Sequence, residues 1–451
     1  MQPRTFRNQR VTVMGLGLHG GGLGTVRFLL REGAKEILVT DLRTKKVLQP
    51  TISQLPRSKR IRYILGKHRL QDFTYKDAII KNPSVRPDSP YLANARLHKI
   101  PVVNDVGIFF IACPAPIIGV TGTRAKSTTA HLIAEFLKRG AKRSGKRVWF
   151  GGNIRRSVLE MLPRIRSGDY VILELSSFQL MDMQSLKKSP EISVLTNILN
   201  DHLNWHKNAA EYALAKSYIF RFQKSSDHLF IPAGDRVLAK LTEGAASQIH
   251  HVILPQKYRN RVVKNIGSHY ISAVGLAIAV ARHLGIPQSA IDKTLSSFHG
   301  LPSRGEKILT LRGVDFVNDT TATIPDASIA ALRRFGRVAK KRGGRVIMIA
   351  GGSDKHLNFH HFALEAEHFA KAIILLPGTA TDKMKKELKQ VKFPRAAIQL
   401  LPSMADAVRT AYERSRSGDI VLLSPGAASF GLFNNEFHRG AEFIKSIKKL
   451  K

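Results

Sequence analysis

The sequence predicts an α/β protein of three domains, each built on a mainly parallel sheet. These are an N-terminal Rossmann-like domain, a central phosphate-loop domain and a C-terminal Rossmann-like domain. Three observations carry the prediction. A short apolar strand, Val11–Met14, runs into the glycine-rich turn GLGLHGGG at 15–22. A second strand, turn and helix follow in IIGVTGTRAKSTTAHLIAEFLK at 117–138. Beyond residue 300, apolar strands alternate with helical stretches in the rhythm of βαβ units. The length of 451 residues also suggests about three domains. The boundaries expected from these signals are 1–113, 114–300 and 301–451.

Composition narrows the class. A hydrophobic content of 43% supplies several cores, and no low-complexity tract argues for disorder. The single cysteine, Cys113, excludes an internal disulfide framework and a thiolate metal cluster, and fits a reducing cytoplasm. The basic start MQPRTFRNQR runs into a strand without an apolar signal core. Val106–Val120 is interrupted by Pro114 and Pro116 and is too short to span a bilayer. A cytoplasmic protein without membrane insertion is expected. Lys and Arg number 72 against 33 acidic residues, a net charge of +39. Such a surplus suggests a polyanion, yet the basic residues are spread along the chain and aromatics are only 7%. With no nucleic-acid-binding signature present, nucleic acid is not expected as the main partner. Anionic small substrates or a general basic bias explain the charge equally well.

In the first domain a helix is expected to about Arg31, then strand Ile37–Thr40 ending at Asp41. Gly15, Gly17 and Gly20 form GxGxxG, and Asp41 lies at the distance where an acidic residue meets a ribose. Alone, this suggests a dinucleotide-binding dehydrogenase, any nucleotide diphosphate, or a ligand-free βα turn. Strands at Asp77–Ile80 and Pro101–Val103 continue the sheet, and Cys113–Pro116 reads as a linker.

The second domain opens with a buried strand, a tight turn at Thr121–Lys126, and a helix carrying Ser127, Thr128 and Thr129 in its first turn. Backbone N–H groups and a helix N-terminus there would face an anion. Lys126 would reach the outer phosphates of a nucleotide triphosphate, and Ser127 would offer a hydroxyl to Mg2+. Capping is the plainer reading of the Ser-Thr run, but strand, glycine turn, lysine and hydroxyl occur in the required order. Ala125 precedes the lysine. If that position needs positive φ, alanine costs on the order of 1 kcal/mol. Tyr170–Leu175 reads as a buried strand, and Glu174 near its end is conspicuous because buried carboxylates are usually paired or metal-bound. After strand Ile192–Leu195, His202 and His206 are possible metal ligands, although a lone Asp-His pair in a loop is more often solvent-exposed or a helix cap and alone does not establish a metal. Lys216, by itself, reads as a surface lysine on a helix.

In the third domain, strands are expected at Val314–Asn318, Val346–Ala350, Ile373–Leu376 and Ile420–Leu423. The polar turns NDTTAT (318–323), GGSDK (351–355) and SPGAAS (424–429) follow three of them. Ligands of open α/β sheets bind outside the carboxyl ends of strands, so these turns are expected to line one cleft.

Together these strings resemble the Mur ligase family over nearly the whole chain and in motif order. GLGLHGGG with DLR at 41–43, GVTGTRAKSTT, GGN at 151–153, ELSSFQL at 174–180 and TNILNDHLNWH at 196–206 carry the resemblance. Ala215–Lys216, LPSR at 301–304, NDTTAT, GGSDK and LLSPGAASFGLF at 422–433 complete it. The resemblance implies an ADP-forming amide ligase of peptidoglycan precursor synthesis. ATP would phosphorylate the alanyl carboxylate of UDP-N-acetylmuramoyl-L-alanine, and the amine of D-glutamate would attack the acyl phosphate. Gly17, Leu18, Asp41, Leu42, Arg43, Asn153 and Ser176 would bind the UDP-linked substrate. Gly122, Thr123, Arg124, Ala125, Lys126, Ser127, Thr128, Thr129, Arg304 and Asp319 would bind ATP. Thr323, Lys355 and Ser429 would hold the D-glutamate carboxylates.

By the same resemblance, Lys126, Glu174, His202 and Lys216 would be the catalytic set. Ser127 and Glu174 would hold one Mg2+, Glu174 and His202 would place a second, and a carbamylated Lys216 would support a metal. A monomer acting on small molecules is implied. Several positions depart from the family pattern: Arg124-Ala125 for Asn-Gly, GSHYISA at 267–273 without its two asparagines, Thr321 for lysine, and Glu436 and Phe437 interchanged. Two alternatives stay open. One is a sister ligase adding another amino acid, and the other is a non-catalytic nucleotide- or nucleic-acid-binding protein. A dehydrogenase would leave Lys126, Glu174 and His202 unexplained.

Overall fold

The computed structural model describes residues 6–18, 20–141, 145–153 and 157–450. Three sheets organise it, of five, six and six strands. The chain gathers into two compact units. One comprises Met1–Ile198, Ala210–Leu254 and Ser272–Ser296, and the other Leu199–Ala209, Pro255–Ile271 and Ser297–Lys451.

The first unit holds two sheets. β1 (Arg10–Met14), β2 (Glu36–Asp41), β3 (Ile61–Leu65), β4 (Ala78–Lys81) and β5 (Val102–Val103) are ordered β3-β2-β1-β4-β5, all parallel. The order reverses at β1, so the glycine turn after β1 sits at the switch point where such sheets bind ligands. The second sheet is also parallel throughout. It comprises β6 (Ile117–Thr121), β7 (Val148–Gly152), β8 (Tyr170–Glu174), β9 (Ile192–Leu195), β10 (His228–Pro232) and β11 (Gln248–Val252), ordered β11-β10-β9-β6-β8-β7. The loop-bearing strand β6 and the carboxylate-bearing β8 are therefore neighbours.

One apolar core runs through both sheets of this unit, from Val11, Val26 and Leu29 to Val158, Met161 and Leu173. Close approach needs a small residue at Gly24 in the helix Gly21–Arg31, where a Cβ would lie 2.2 Å from the Ser157 side chain. A buried ion pair adds a polar tie. Lys81 Nζ lies 2.8 Å from Asp182, which also accepts from Asn104 Nδ2 at 2.7 Å. An ammonium this buried would cost several kcal/mol without its partner.

The second unit is built on β12 (Glu306–Leu311), β13 (Val314–Asn318), β14 (Val346–Gly351), β15 (Ala370–Leu376), β16 (Ile398–Leu400) and β17 (Ile420–Leu423). Their order is β12-β13-β17-β14-β15-β16, and only the β12–β13 pair is antiparallel. Both faces are covered. Leu332, Phe335 and Phe362 pack on one side, and Met404, Val408 and Phe443 on the other.

The expected strands are present within a residue or two, except that β15 begins three residues earlier, at Ala370. The stretch at Cys113–Pro116 separates the helix Asp105–Ala112 from β6. Six strands were not expected: β3, β7, β10, β11, β12 and β16. Five of these six lie at sheet edges. Edge strands are half-solvated, so they lack the continuous apolar run that marks the central ones.

Candidate active site

The turn after β6 carries the first part of the site. Gly122 has φ 142°, and a Cβ there would lie 1.9 Å from Thr196 Oγ1, so the turn closes only with glycine. Ala125 has φ 65° and ψ 0°, the left-handed conformation that the sequence made conditional, immediately before the helix Lys126–Gly140. The end of β9 braces this turn. Arg124 N donates to Asn197 Oδ1 at 2.9 Å and Thr123 N to Asn197 O at 3.0 Å. Thr196 Oγ1 donates to Arg124 O at 2.6 Å. These braces, and the 3.1 Å bond from Tyr212 OH to Thr123 Oγ1, were not anticipated.

Two ammonium groups meet on this turn. Lys126 Nζ donates to Gly122 O at 2.9 Å and Thr123 O at 3.0 Å. Lys216 Nζ donates to the same Gly122 O at 2.8 Å and lies 4.8 Å from the centre of the Tyr212 ring. Lys216 is therefore no surface lysine: it is 1% exposed. The reading from its own position failed because its burial comes from a turn far away in sequence. Ser127, Thr128 and Thr129 form the first helical turn, and Thr129 Oγ1 bonds back to Ala125 O at 3.0 Å.

Glu174 ends β8, paired in register with Val120 of β6 and Gly152 of β7. It is 3% exposed. Asn153 Nδ2 lies 3.5 Å from its Oε1, while Oε2 is buried without a hydrogen-bond partner among the described residues. An orphaned carboxylate oxygen beside a phosphate-type turn is the donor a hard cation takes, and Ser127 supplies a hydroxyl on the same turn. The residues present thus fit Mg2+. Ser176 caps the short helix Ser177–Met181 in a reciprocal box with Gln179.

At the first sheet, Asp41 braces the glycine turn. Its carboxylate accepts from Gly17 N at 3.0 Å and from Arg43 N at 2.9 Å, and it is 3% exposed. Leu18 and Leu42 are exposed beside it.

In the second unit the three polar turns are hydrogen-bonded to one another. Gly426 N donates to Ala322 O, Gly351 N to Pro425 O, and Ser353 and Ala428 exchange a pair of bonds. Asp319 accepts from Gly305 N at 3.0 Å and Ser424 Oγ at 2.9 Å, and Arg304 Nη1 donates to Thr321 Oγ1 at 3.2 Å. Lys355 Nζ, nearly buried, lies 2.8 Å from Asp201 Oδ1 and 3.4 Å from Thr323 Oγ1. Ser429 is buried on the third turn. His202 has φ 55° and donates its backbone N–H to Asp201 Oδ1 at 2.8 Å. His206 is 1% exposed.

Arg439 went unread in the sequence. Fully buried, it donates to Thr320 Oγ1 at 3.1 Å, Thr320 O at 2.8 Å and Ala427 O at 3.1 Å, joining two of the turns. Burial lowers its guanidinium to about 9. Of the expected site residues, Lys126, Ser127, Glu174, Asn153, Ser176 and Lys216 belong to the first unit. His202, Arg304, Asp319, Thr323, Lys355 and Ser429 belong to the second.

Comparison with known proteins identifies the family. Family models match in chain order: a Mur ligase MurD-like N-terminal domain over residues 9–104, a Mur ligase middle domain over 120–273, and a Mur ligase glutamate ligase domain over 303–426. The UDP-N-acetylmuramoylalanine–D-glutamate ligase of Roseiflexus sp. (strain RS-1) is 36% identical, with 98% of each chain covered. The protein of that name from Borreliella afzelii (strain PKo) is 37% identical, with 99% of each covered. Among solved structures, the UDP-N-acetylmuramate–alanine ligase MurC of Thermotoga maritima superposes with a TM-score of 0.63 at 15% identity, covering 98% of this chain and 100% of its own. That likeness speaks for the fold. With full-length relatives above 30% identity and three family models in order, the chain belongs to the Mur ligase family.

Proposed function

We propose that the chain is an ATP-dependent ligase that joins D-glutamate to the alanyl carboxylate of UDP-N-acetylmuramoyl-L-alanine in peptidoglycan precursor synthesis. The observation that carries this is the phosphate-type turn with Lys126 and Lys216 on one carbonyl, next to the strand that ends in the orphaned Glu174 carboxylate. The substrate reading is supported by relatives of that name over the full chain.

Little covalent work falls to the side chains. Positioning and charge neutralisation dominate. Lys126 would turn from the loop carbonyls to the outer phosphate of ATP as its carboxylate-attacked phosphorus gains charge. Backbone N–H groups of residues 122–129 would hold the phosphates, and Arg304 and Asp319 would contact the nucleotide. Mg2+, held by Ser127 and Glu174 with a second ion placed by Glu174 and His202, would screen phosphate charge. Gly17, Leu18, Asp41, Leu42, Arg43, Asn153 and Ser176 would bind the UDP-linked substrate. Lys355, Thr323 and Ser429 would take the D-glutamate carboxylates, and Lys355 would exchange its Asp201 partner for one of them.

Carbamylation of Lys216 would make it an anion able to support a metal while keeping an N–H for Gly122 O. A carbamate signal from 13C-bicarbonate that is lost in Lys216→Ala would support it. The reading takes the enzyme as a cytoplasmic monomer with domain boundaries at 113 and 300.

The test is phosphate release from ATP and Mg2+ with UDP-N-acetylmuramoyl-L-alanine, with D-glutamate added or omitted. Release that requires D-glutamate and disappears in Lys126→Ala is expected. Release driven by a different amino acid instead would overturn the donor assignment.

A further inference from the structure

We infer that His228, His250 and His283 form a binding site for a divalent transition-metal ion of the Zn2+ class, with a coordination position left open to water. The site is separate from the phosphate turn. His228 lies on β10, His250 on β11, and His283 at the end of the helix Ile271–His283.

The sheet register explains the meeting. Phe230 of β10 pairs with His250 of β11, and His228 lies two residues before Phe230. Side chains repeat every second residue along a strand, so all three share one face. Phe230 stacks on His250 with ring centres 4.4 Å apart and planes at 10°, which fixes that imidazole. His228 Nδ1 then lies 3.0 Å from His250 Nε2, and the His283 ring centre lies 4.0 Å from that of His228. One nitrogen from each ring falls within 4.8 Å of the others.

Such spacing suits an ion. Around a tetrahedral ion with Zn–N bonds of about 2.0–2.1 Å the nitrogens lie about 3.3–3.4 Å apart, so the 3.0 Å pair opens a little and the exposed His283 turns inward. A nitrogen-only set selects Zn2+, Cu2+ or Ni2+ over Mg2+, which demands oxygen. The helix that bears His283 ends there, so its dipole presents negative charge and favours a cation. Binding through the two facing nitrogens displaces the proton they share, which moves to a far ring nitrogen or to solvent. The adjacent Arg282 is turned to Gln288 Oε1 at 2.9 Å. A bound ion would tie the edge strand β11 and its neighbour β10 to the helix.

The experiment is a calorimetric titration of the untagged full-length protein with ZnCl2 in saturating Mg2+ without nucleotide, alongside thermal unfolding with and without Zn2+. One ion per chain and a Zn2+-dependent rise in Tm are expected. His283→Ala, at an exposed helix end, should weaken binding at least about tenfold and abolish the rise. His251→Ala, on the opposite face of β11, should change neither. Absence of binding up to millimolar Zn2+, or equal affinity in the native chain and His283→Ala, would overturn the site.

Discussion

Ala125 is the residue where sequence and backbone disagree most plainly. At φ 65° it occupies the conformation glycine adopts without cost, on the turn that carries Lys126. A left-handed non-glycine residue costs about 1–2 kcal/mol, and glycine returns about 0.5–1 of that through its unfolded-state freedom. Ala125→Gly should therefore stabilise the protein by up to about 1 kcal/mol in denaturant titration. Destabilisation would mean that the alanine methyl makes compensating contacts. Strain at this position was readable in advance because the motif order fixed where the turn must bend. The burial of Lys216 was not readable from its own position, since it depends on Gly122, far away in sequence; the family resemblance alone singled the residue out. Arg439 went unread for the same reason: a buried polar group is recognised by its partners, and Thr320 and Ala427 lie far away in the chain.

Elements, by contrast, were legible where they are buried on both faces, with the exception of the covered strand β10. β6, β13 and β17 are buried at every position, whereas the edge strands β3, β11, β12 and β16 mix exposed and half-buried positions. How the turns after the strands are held could not be read. Arg439, on the helix Glu436–Lys448, reaches the turns after β13 and β17 through three hydrogen bonds. Arg439→Met should cost about 2–5 kcal/mol, because it leaves the carbonyls of Thr320 and Ala427 short of a donor. It should also raise the KM for the amine donor, since Thr323 and Ser429 ride on those turns. Unchanged stability in Arg439→Met would show that the two turns hold themselves.

A second element-scale consequence concerns the helix Asp105–Ala112. Burial pushes the Asp105 carboxyl up to about 6, with the nearby Asp182 adding to the rise and Lys81 opposing it. An unfolded aspartate titrates near about 4, so the folded chain binds this proton more tightly. The sign follows by linkage. The group favours folding as pH falls from about 6 to about 4 and costs stability above pH 6. Asp105→Asn, which can keep the acceptor that faces Val106 N, should exceed the native protein by about 1–3 kcal/mol at pH 7.5 and lose that advantage near pH 4. Equal stability of the two proteins at pH 7.5 would contradict the burial argument.

At the scale of the whole molecule the charge dominates. The formal excess of +39 understates the surface, because acids are drawn inside: Asp41, Asp72, Asp105, Asp169, Glu174, Asp201, Asp315 and Asp419 are buried. Among the described residues the buried basic side chains are Lys81, Lys216, Lys355 and Arg439. The exposed shell is thus overwhelmingly cationic, and like charges at 10 Å or so repel until salt screens them. Unfolding spreads these charges apart, so repulsion weighs on the folded state. Raising ionic strength from about 10 mM to about 300 mM, where the Debye length falls several-fold, should raise Tm. The same salt should sharply weaken any binding to DNA or RNA, because such binding rests on released counterions. The two responses therefore run in opposite directions. A Tm that falls with salt would mean that the local ion pairs, such as Arg342 with Asp315 at 2.6 Å, outweigh the net repulsion. Nucleic-acid binding that survives 300 mM salt would mean a specific contact, and the surplus charge would then need a function of its own.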